Sequence, residues 1–464
     1  MALRKLRHVL THPISRNVVA LGWIQIATFI VPLVTLPYIA RVLDPSEFGL
    51  VVFAQSFSLV LTIFIDWGFT YYGVRAVAAA RDDPQELARV VARVRGAQLL
   101  LVGSSVFVAV GCLLAIPKLR ENPAFLVLAW VAAVGSGLAT NWYFIGVERP
   151  RFISVLQLTL RAIGAGLTFL LVHRSGQGWI VLALFAASSL AMWLSLDFLM
   201  YREVPFRLPP WRASVDAVRG AGTFFMGTVA ATMYTTFNVV LLGFFVTSTE
   251  VAHFGAAERL VRTSLSVIGP IGAAVYPRLV YLQSSERPHR AKRLLGIAVV
   301  IVGTIAVAIA AVLAIFAPTI IHIVYGPKYI DPSTPILRVL VLIIPISILG
   351  AIGGTWLMTL HQERTVAVIV LRSGILNVVL GTVLTLSFGP QGMAWSVVAA
   401  ETCAAVSCLW VVRRMDRTAE VPLLPSLRRR RRPPDDGPGA PGDHPGERHS
   451  GLTRPSLGDP VGDR

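Results

Sequence analysis

The chain has 464 residues, 55% of them hydrophobic and only 14% charged, with a net charge of +17 and a mean hydropathy of +0.67. Soluble domains carry about 25% charged residues, so this composition excludes a globular enzyme on a single anchor and points to an all-α polytopic membrane protein. The positive charge does not indicate a nucleic-acid partner: it lies in short loops between apolar runs and in one tail cluster, 428–432, which is the pattern of membrane topology.

Apolar runs of about 20 residues, the length that crosses a bilayer, recur over residues 17–413. The basic N-terminus, 1–16, carries Arg4, Lys5, Arg7 and Arg16 like the n-region of a signal peptide. The run behind it is too long for that role and lacks a clear small-residue cleavage site, so it reads as a retained first helix. Six spans are predicted at 17–42, 47–73, 96–116, 123–146, 152–173 and 178–200, forming an N-terminal bundle over 17–200. A polar, Pro-rich linker occupies 201–221. Six more spans, at 222–246, 251–277, 294–316, 335–359, 365–387 and 391–413, form a second bundle over 222–415. The remainder, 416–464, is rich in Pro, Gly and Arg and is expected to be a disordered basic tail.

Loop charges test this count. One set of loops carries Arg75, Arg81, Arg89, Arg93 and Arg95, then Arg149 and Arg151, then Arg202, Arg207, Arg212 and Arg219, then Arg287, Arg290, Lys292 and Arg293, then Arg364. The opposite loops carry only Arg41, Lys118, Arg120, Arg174 and Lys328. The alternation follows the positive-inside rule and puts both termini in the cytoplasm. Within the first rich loop, Asp83-Pro84-Gln85-Glu86 reads as an N-cap, a proline at the first helical position and a capping acid. It starts an interfacial helix that feeds the third span.

The two halves begin alike. Asp44-Pro45-Ser46-Glu47-Phe48-Gly49 follows the first span and Ser248-Thr249-Glu250-Val251-Ala252-His253-Phe254-Gly255 follows the seventh. Each is a short acidic turn before Phe-Gly. With an even number of spans per half, the repeat is parallel, about an axis along the membrane normal.

Further residues carry a family likeness. Leu36-Pro37-Tyr38-Ile39-Ala40-Arg41-Val42-Leu43, then Phe48-Gly49, Asp66-Trp67-Gly68-Phe69 and Arg75, resemble the N-terminal signature of Wzx-type O-antigen and exopolysaccharide flippases of the MOP superfamily. Leu242-Gly243-Phe244, Glu250, Phe254-Gly255-Ala256-Ala257-Glu258-Arg259-Leu260 and Tyr276-Pro277-Arg278-Leu279 are similar to that family's seventh and eighth helices. The likeness covers roughly residues 14–415. Asp44 stands where the family usually has Gly, and Ala252-His253 replaces its usual Gly-Tyr. The resemblance implies two six-helix bundles around a central cavity and alternating access in a bacterial inner membrane. It implies an undecaprenyl-diphosphate-linked oligosaccharide as cargo, membrane lipids around it, and polymerase and glycosyltransferases as partners. It implies no cofactor.

Charges inside spans cost about 2.5–3.5 kcal/mol each on insertion scales and raise a functional hypothesis by default. Arg161 lies about 13 Å along its helix, near mid-membrane; it either lines a cavity or pairs with an acid. Arg259 and Arg262 share a helix face, and Glu258 stands four residues before Arg262; either Glu258 neutralises Arg262 and leaves Arg259 as the uncompensated cavity cation, or Arg262 joins Arg259 on the cavity. Arg372 is shallow enough to snorkel, and it either does so or serves as a further cavity cation. Arg41 is placed like an interfacial anchor, and the resemblance lifts it as a cavity cation. Asp66 and Glu401 are the acids at depth: either a coupling proton or a fixed ion pair, Asp66 with Arg75 or a cavity arginine. Guanidinium suits a diphosphate because its donor fork is planar and always charged. Thr223, Thr228, Thr232, Tyr234, Thr235, Thr236 and Asn238 offer hydroxyl and amide partners for sugars, or simply pack helices. Pro32, Pro37, Gly269-Pro270, Pro277 and Pro345 are expected kinks.

Other classes fit less well. A cation-coupled exporter of the MATE type needs an acidic cavity, whereas the buried charge here is mostly Arg. A lipid II-type precursor flippase stays open as an alternative. A membrane glycosyltransferase or polymerase needs catalytic groups on sizeable external loops, and these loops are short; no enzyme activity is expected. No GxxxxGK[ST] is present for ATP and no HExxH or Cys/His cluster for a metal. Cys112, Cys403 and Cys408 fall inside spans without ligand spacing and read as small core residues.

Overall fold

The computed structural model describes residues 31, 34–284 and 288–418, so most of the first expected span, the basic N-terminus and nearly all of the tail lie outside the described residues. Eight helices among the described residues are long and apolar enough to cross a membrane, and the bent pair Trp211–Met233 and Phe237–Phe245 makes a ninth. The difference from twelve has local causes. One span is mostly undescribed. Helix Ser248–Ser284 is long enough but carries Glu250, Glu258, Arg259 and Arg262. The run Glu363–Thr418 holds two spans, divided at Gly389, whose φ of 57° and ψ of −141° turn the chain back. The fold is an all-α, multi-pass membrane protein.

The capping turn forms as its chemistry dictates: the Asp83 carboxylate accepts from the Gln85 and Glu86 amides at 2.8 and 3.2 Å. It starts one unbroken helix, Pro84–Ala115, so the interfacial segment and the third span are continuous. Pro345 sits just after a break at Val341 and Leu342, one turn upstream as a helix proline dictates. Pro32 lies outside the described residues, and other breaks fall away from the expected prolines. Pro45–Asp66 stops at Trp67 and Gly68, both left-handed at φ 46° and 79°, before Phe69–Ala80 resumes. A left-handed tryptophan costs about 1–2 kcal/mol. It is held by stacking on Phe225 at 3.8 Å and by its indole N–H donating to the Val218 carbonyl at 3.1 Å. Pro123–Leu138 breaks before Asn141–Gly146, and the seventh span bends by 60° at Thr236. Helix Gly178–Glu203 runs to Glu203 and the next begins at Trp211, so the non-helical linker shrinks to 204–210. Helix Ala317–Tyr325, between the ninth and tenth spans, was not expected.

The apolar core differs between the two ends. At the end marked by Asp44 and Ser248 one continuous cluster joins both halves, through Leu43, Phe48, Leu242, Phe254, Ile321 and Tyr329. At the arginine-rich end it splits. One cluster surrounds Trp142 in the first half, with Ala217 and Ala221 added, and another surrounds Trp356 in the second. The apolar core is thus continuous across the halves at one end, which seals them there, and divided at the other, where the seventh span packs with the first half. The seal brings the two similar turns together: a Cβ on Gly49 would sit 1.8 Å from the Ser248 carbonyl oxygen, and one on Gly243 2.2 Å from the Phe53 ring. Lys118 donates to the Gly243 carbonyl at 3.1 Å and Lys328 pairs with Asp44 at 3.2 Å. The hydroxyl of Ser175, then Lys328, hold the Asp44 carboxyl below the usual carboxylate range.

Candidate functional site

A cavity of about 310 Å³ lies among the first, second, fifth and sixth helical segments and is completed by the eighth. Its polar wall is Thr35, Gln55, Ser56, Thr168, Ser188 and two guanidiniums, Arg161 from Pro150–Leu171 and Arg259 from Ser248–Ser284. Leu59, Leu184 and Phe185 form the apolar part. The volume sits at the lower end of small-molecule sites, which run from about 300 to 1,000 Å³. Arg161 is half-buried and Arg259 is exposed to the cavity, and neither makes an ion pair among the described residues. The described lining contains no acid. Several hydroxyls donate along their own helices, Ser56 to Val52 and Thr168 to Gly164 at 2.9 and 2.8 Å. Their lone pairs remain available as acceptors.

The other expected site residues go elsewhere. Arg262 donates to Glu258 through Nε and Nη2 at 3.1 and 2.9 Å, so this pair is neutralised within one helix. Arg41 donates to the Ile323 carbonyl and braces helix Ala317–Tyr325. Arg372 lies in a separate groove of about 600 Å³ between the two arms of the Gly389 hairpin, with Arg364 and Trp410. Asp66 accepts from the Thr70 hydroxyl at 2.9 Å and forms no ion pair with Arg75 among the described residues. Glu401 is buried beside Ser347 and forms no ion pair among the described residues. Thr228 and Thr232 donate back along their helix, and Asn238 is buried and accepts from Asn377 at 2.6 Å. These groups pack helices and do not reach the Arg161 cavity.

One polar cluster was missed from the sequence. Arg95, expected in a loop, is buried and bonded to Asp197, and it also donates to the Leu138 carbonyl at 2.8 Å. Thr140 and Trp193 donate to the same carboxylate at 3.2 and 2.8 Å. The cluster ties the break at Ala139 and Thr140 to two neighbouring helices. Its signal was present: Asp197 is a lone acid within the apolar run 178–200.

Comparisons with known proteins match this architecture. A family model described as "Polysaccharide biosynthesis protein" matches residues 14–283, and one described as "MatE" matches residues 223–383. Two curated proteins named "Putative O-antigen transporter" align along almost their whole length. The one from Shigella dysenteriae is 26% identical, covering 86% of this chain and 100% of the relative. The one from Escherichia coli (strain K12) is 25% identical, covering 86% and 97%. Among solved structures, a multidrug resistance MATE family transporter of the MOP superfamily in an inward-facing conformation superposes with a TM-score of 0.62 at 16% identity, over 84% of this chain and 95% of that one. The lipid II flippase MurJ, inward closed, gives 0.58 at 15% identity, over 84% and 87%. At these identities the solved structures establish the fold alone. The first family model spans more than half of the chain, and with it the two-bundle helical fold has its place: the chain belongs to the polysaccharide biosynthesis protein family.

Proposed function

We propose that this protein flips an undecaprenyl-diphosphate-linked oligosaccharide across the bacterial inner membrane, from the cytoplasmic to the periplasmic leaflet, by alternating access. The observation that carries the reading is the pair Arg161 and Arg259: two unpaired guanidiniums, one from each half, on one cavity with no described acid. A diphosphate has several anionic oxygens and guanidinium is the side chain best shaped to hold them. Because the two cations belong to different halves, a rocking motion that separates the halves also separates the cations. The grip is then strong in one state and weak in the other, which is what release requires. A cavity of this size takes the diphosphate and the first sugar, and the rest of the glycan extends toward the arginine-rich end, where the apolar core is divided.

On this reading both termini and the arginine-rich end are cytoplasmic, following the positive-inside rule, and the protein transports without transforming its cargo. Polymerase and glycosyltransferases acting on the same glycan are its expected partners. An exporter of cationic compounds is disfavoured because the cavity offers two cations and no described carboxylate. A peptidoglycan-precursor cargo shares the diphosphate and differs only in its glycan. The test is binding of an undecaprenyl-diphosphate glycan to the purified protein, followed by native mass spectrometry. Arg161→Ala and Arg259→Ala together should weaken it by about 100-fold or more, since each charge-assisted contact contributes about 1.5–3 kcal/mol. Unchanged binding would remove the cavity from the account.

A further inference from the structure

The connection between the two halves has an unusual surface. Residues 204–210 are extended and include Pro205, Pro209 and Pro210, which fix φ and leave little freedom to lose on binding. One side is anchored. Val204 and Ser214 are buried, and there is no room for a Cβ on Gly96, where it would lie 2.4 Å from Pro209 and 2.1 Å from the Ser214 hydroxyl. The other side is open: Phe206, whose one ring contact among the described residues is Tyr201 at 5.6 Å, is 65% exposed, Leu208 83% and Trp211 69%. Arg207 and Arg212 alternate with them. The nearby acids are already engaged, Glu203 by Arg149 at 2.6 Å and Tyr143 at 2.9 Å, and Asp216 by Arg219 at 3.8 Å. Arg207 and Arg212 have no acid partner among the described residues, and Arg202 lies over the Phe198 ring at 5.4 Å.

We propose that this strap, from Phe206 to Arg212, is a docking face for the anionic phospholipids of the leaflet at the arginine-rich end. Both flanking helices, Gly178–Glu203 and Trp211–Thr235, enter the bilayer here, so the strap lies at headgroup depth. Three large apolar groups left in water by a rigid, proline-braced segment find cover among acyl chains, and the interleaved arginines meet phosphates. Aromatic and basic side chains at this depth are the ordinary anchors of membrane helices. Here they sit on the one segment that joins the two halves, so lipid charge acts on the linker across which the halves must rock.

A spin label at Leu208→Cys tests this, in the full chain with Cys112, Cys403 and Cys408 replaced by alanine. The protein is reconstituted in phosphatidylcholine and in a phosphatidylcholine–phosphatidylglycerol mixture. Collisions with oxygen and with a water-soluble nickel chelate report the depth of the label. The expected result is an oxygen-accessible, nickel-protected label in the anionic membrane. Arg207→Gln with Arg212→Gln should cut the immersed-to-free ratio by roughly tenfold or more, given about fivefold per arginine near a charged surface. The double variant should then match wild type in phosphatidylcholine. A nickel-accessible label in both membranes overturns the proposal. So does a label shielded from both reagents, which would mean a protein partner, and so does immersion that ignores lipid charge.

Discussion

At Gly49 the two halves meet so closely that one methyl group should separate them. Its Cβ would lie 1.8 Å from the Ser248 carbonyl oxygen and 3.1 Å from the Ala252 amide, against an ordinary contact of 3.4 Å or more. The helices must therefore part by roughly 1.6 Å at this point. Overpacking of this kind costs about 1–3 kcal/mol. If the halves separate here in the alternate state, Gly49→Ala penalises only the sealed state and shifts the equilibrium by about 5- to 150-fold. Gly103→Ala is the control, since nothing stands within 4 Å of its Cβ. The assay is cross-linking of Asp44→Cys to Lys328→Cys by a short thiol-reactive linker, in a chain without its native cysteines, because the two parent side chains meet at 3.2 Å across the seal. Cross-linking should fall with Gly49→Ala and hold with Gly103→Ala. Equal yields in the two variants would refute the idea that the seal depends on this contact.

Other outcomes follow from the same geometry. Arg95→Met or Asp197→Asn, leaving one buried charge alone, should cost about 3–5 kcal/mol of stability; a detergent melting curve reads it, and joint replacement of both by apolar residues should recover most of the loss. Arg262→Ala should leave diphosphate binding within about twofold, because Arg262 is already neutralised by Glu258. The Asp44–Lys328 link depends on a carboxyl held below its ordinary value of about 3.9. A depressed acid contributes above its unfolded value and loses that contribution as pH falls through the folded one. The difference in detergent melting temperature between wild type and Asp44→Asn should thus be flat at neutral pH and shrink only in strong acid.

Much of the fold was legible because lipid leaves so few options: a backbone in hydrocarbon must be helical, so span length and loop charge nearly determine the layout. The Asp83 cap and the Glu258–Arg262 pair were legible for a related reason, since both are set within a single turn of helix. What the chain order hides is contact between distant segments. The break at Trp67 is held by Phe225 and Val218, so no local proline or glycine rule locates it. Arg95 looked like a loop charge because its partner Asp197 is 102 residues away. For Arg161 and Arg259 the depth in the helix was readable, but the direction each side chain faces was not. That direction is fixed by how the fifth and eighth spans pack, and it sets these two apart from Arg372 and Arg41, which share their charge but not their cavity.

The two guanidiniums are tested most directly by flipping itself. Protein in sealed vesicles is supplied with a fluorescent undecaprenyl-diphosphate glycan, and the rate at which label reaches the opposite leaflet is compared among wild type, Arg161→Ala, Arg259→Ala and the double variant. Each single change should slow flipping, and the two losses should be non-additive, because both cations grip one diphosphate. Full-rate flipping by the double variant, at matched protein level, would contradict that shared grip.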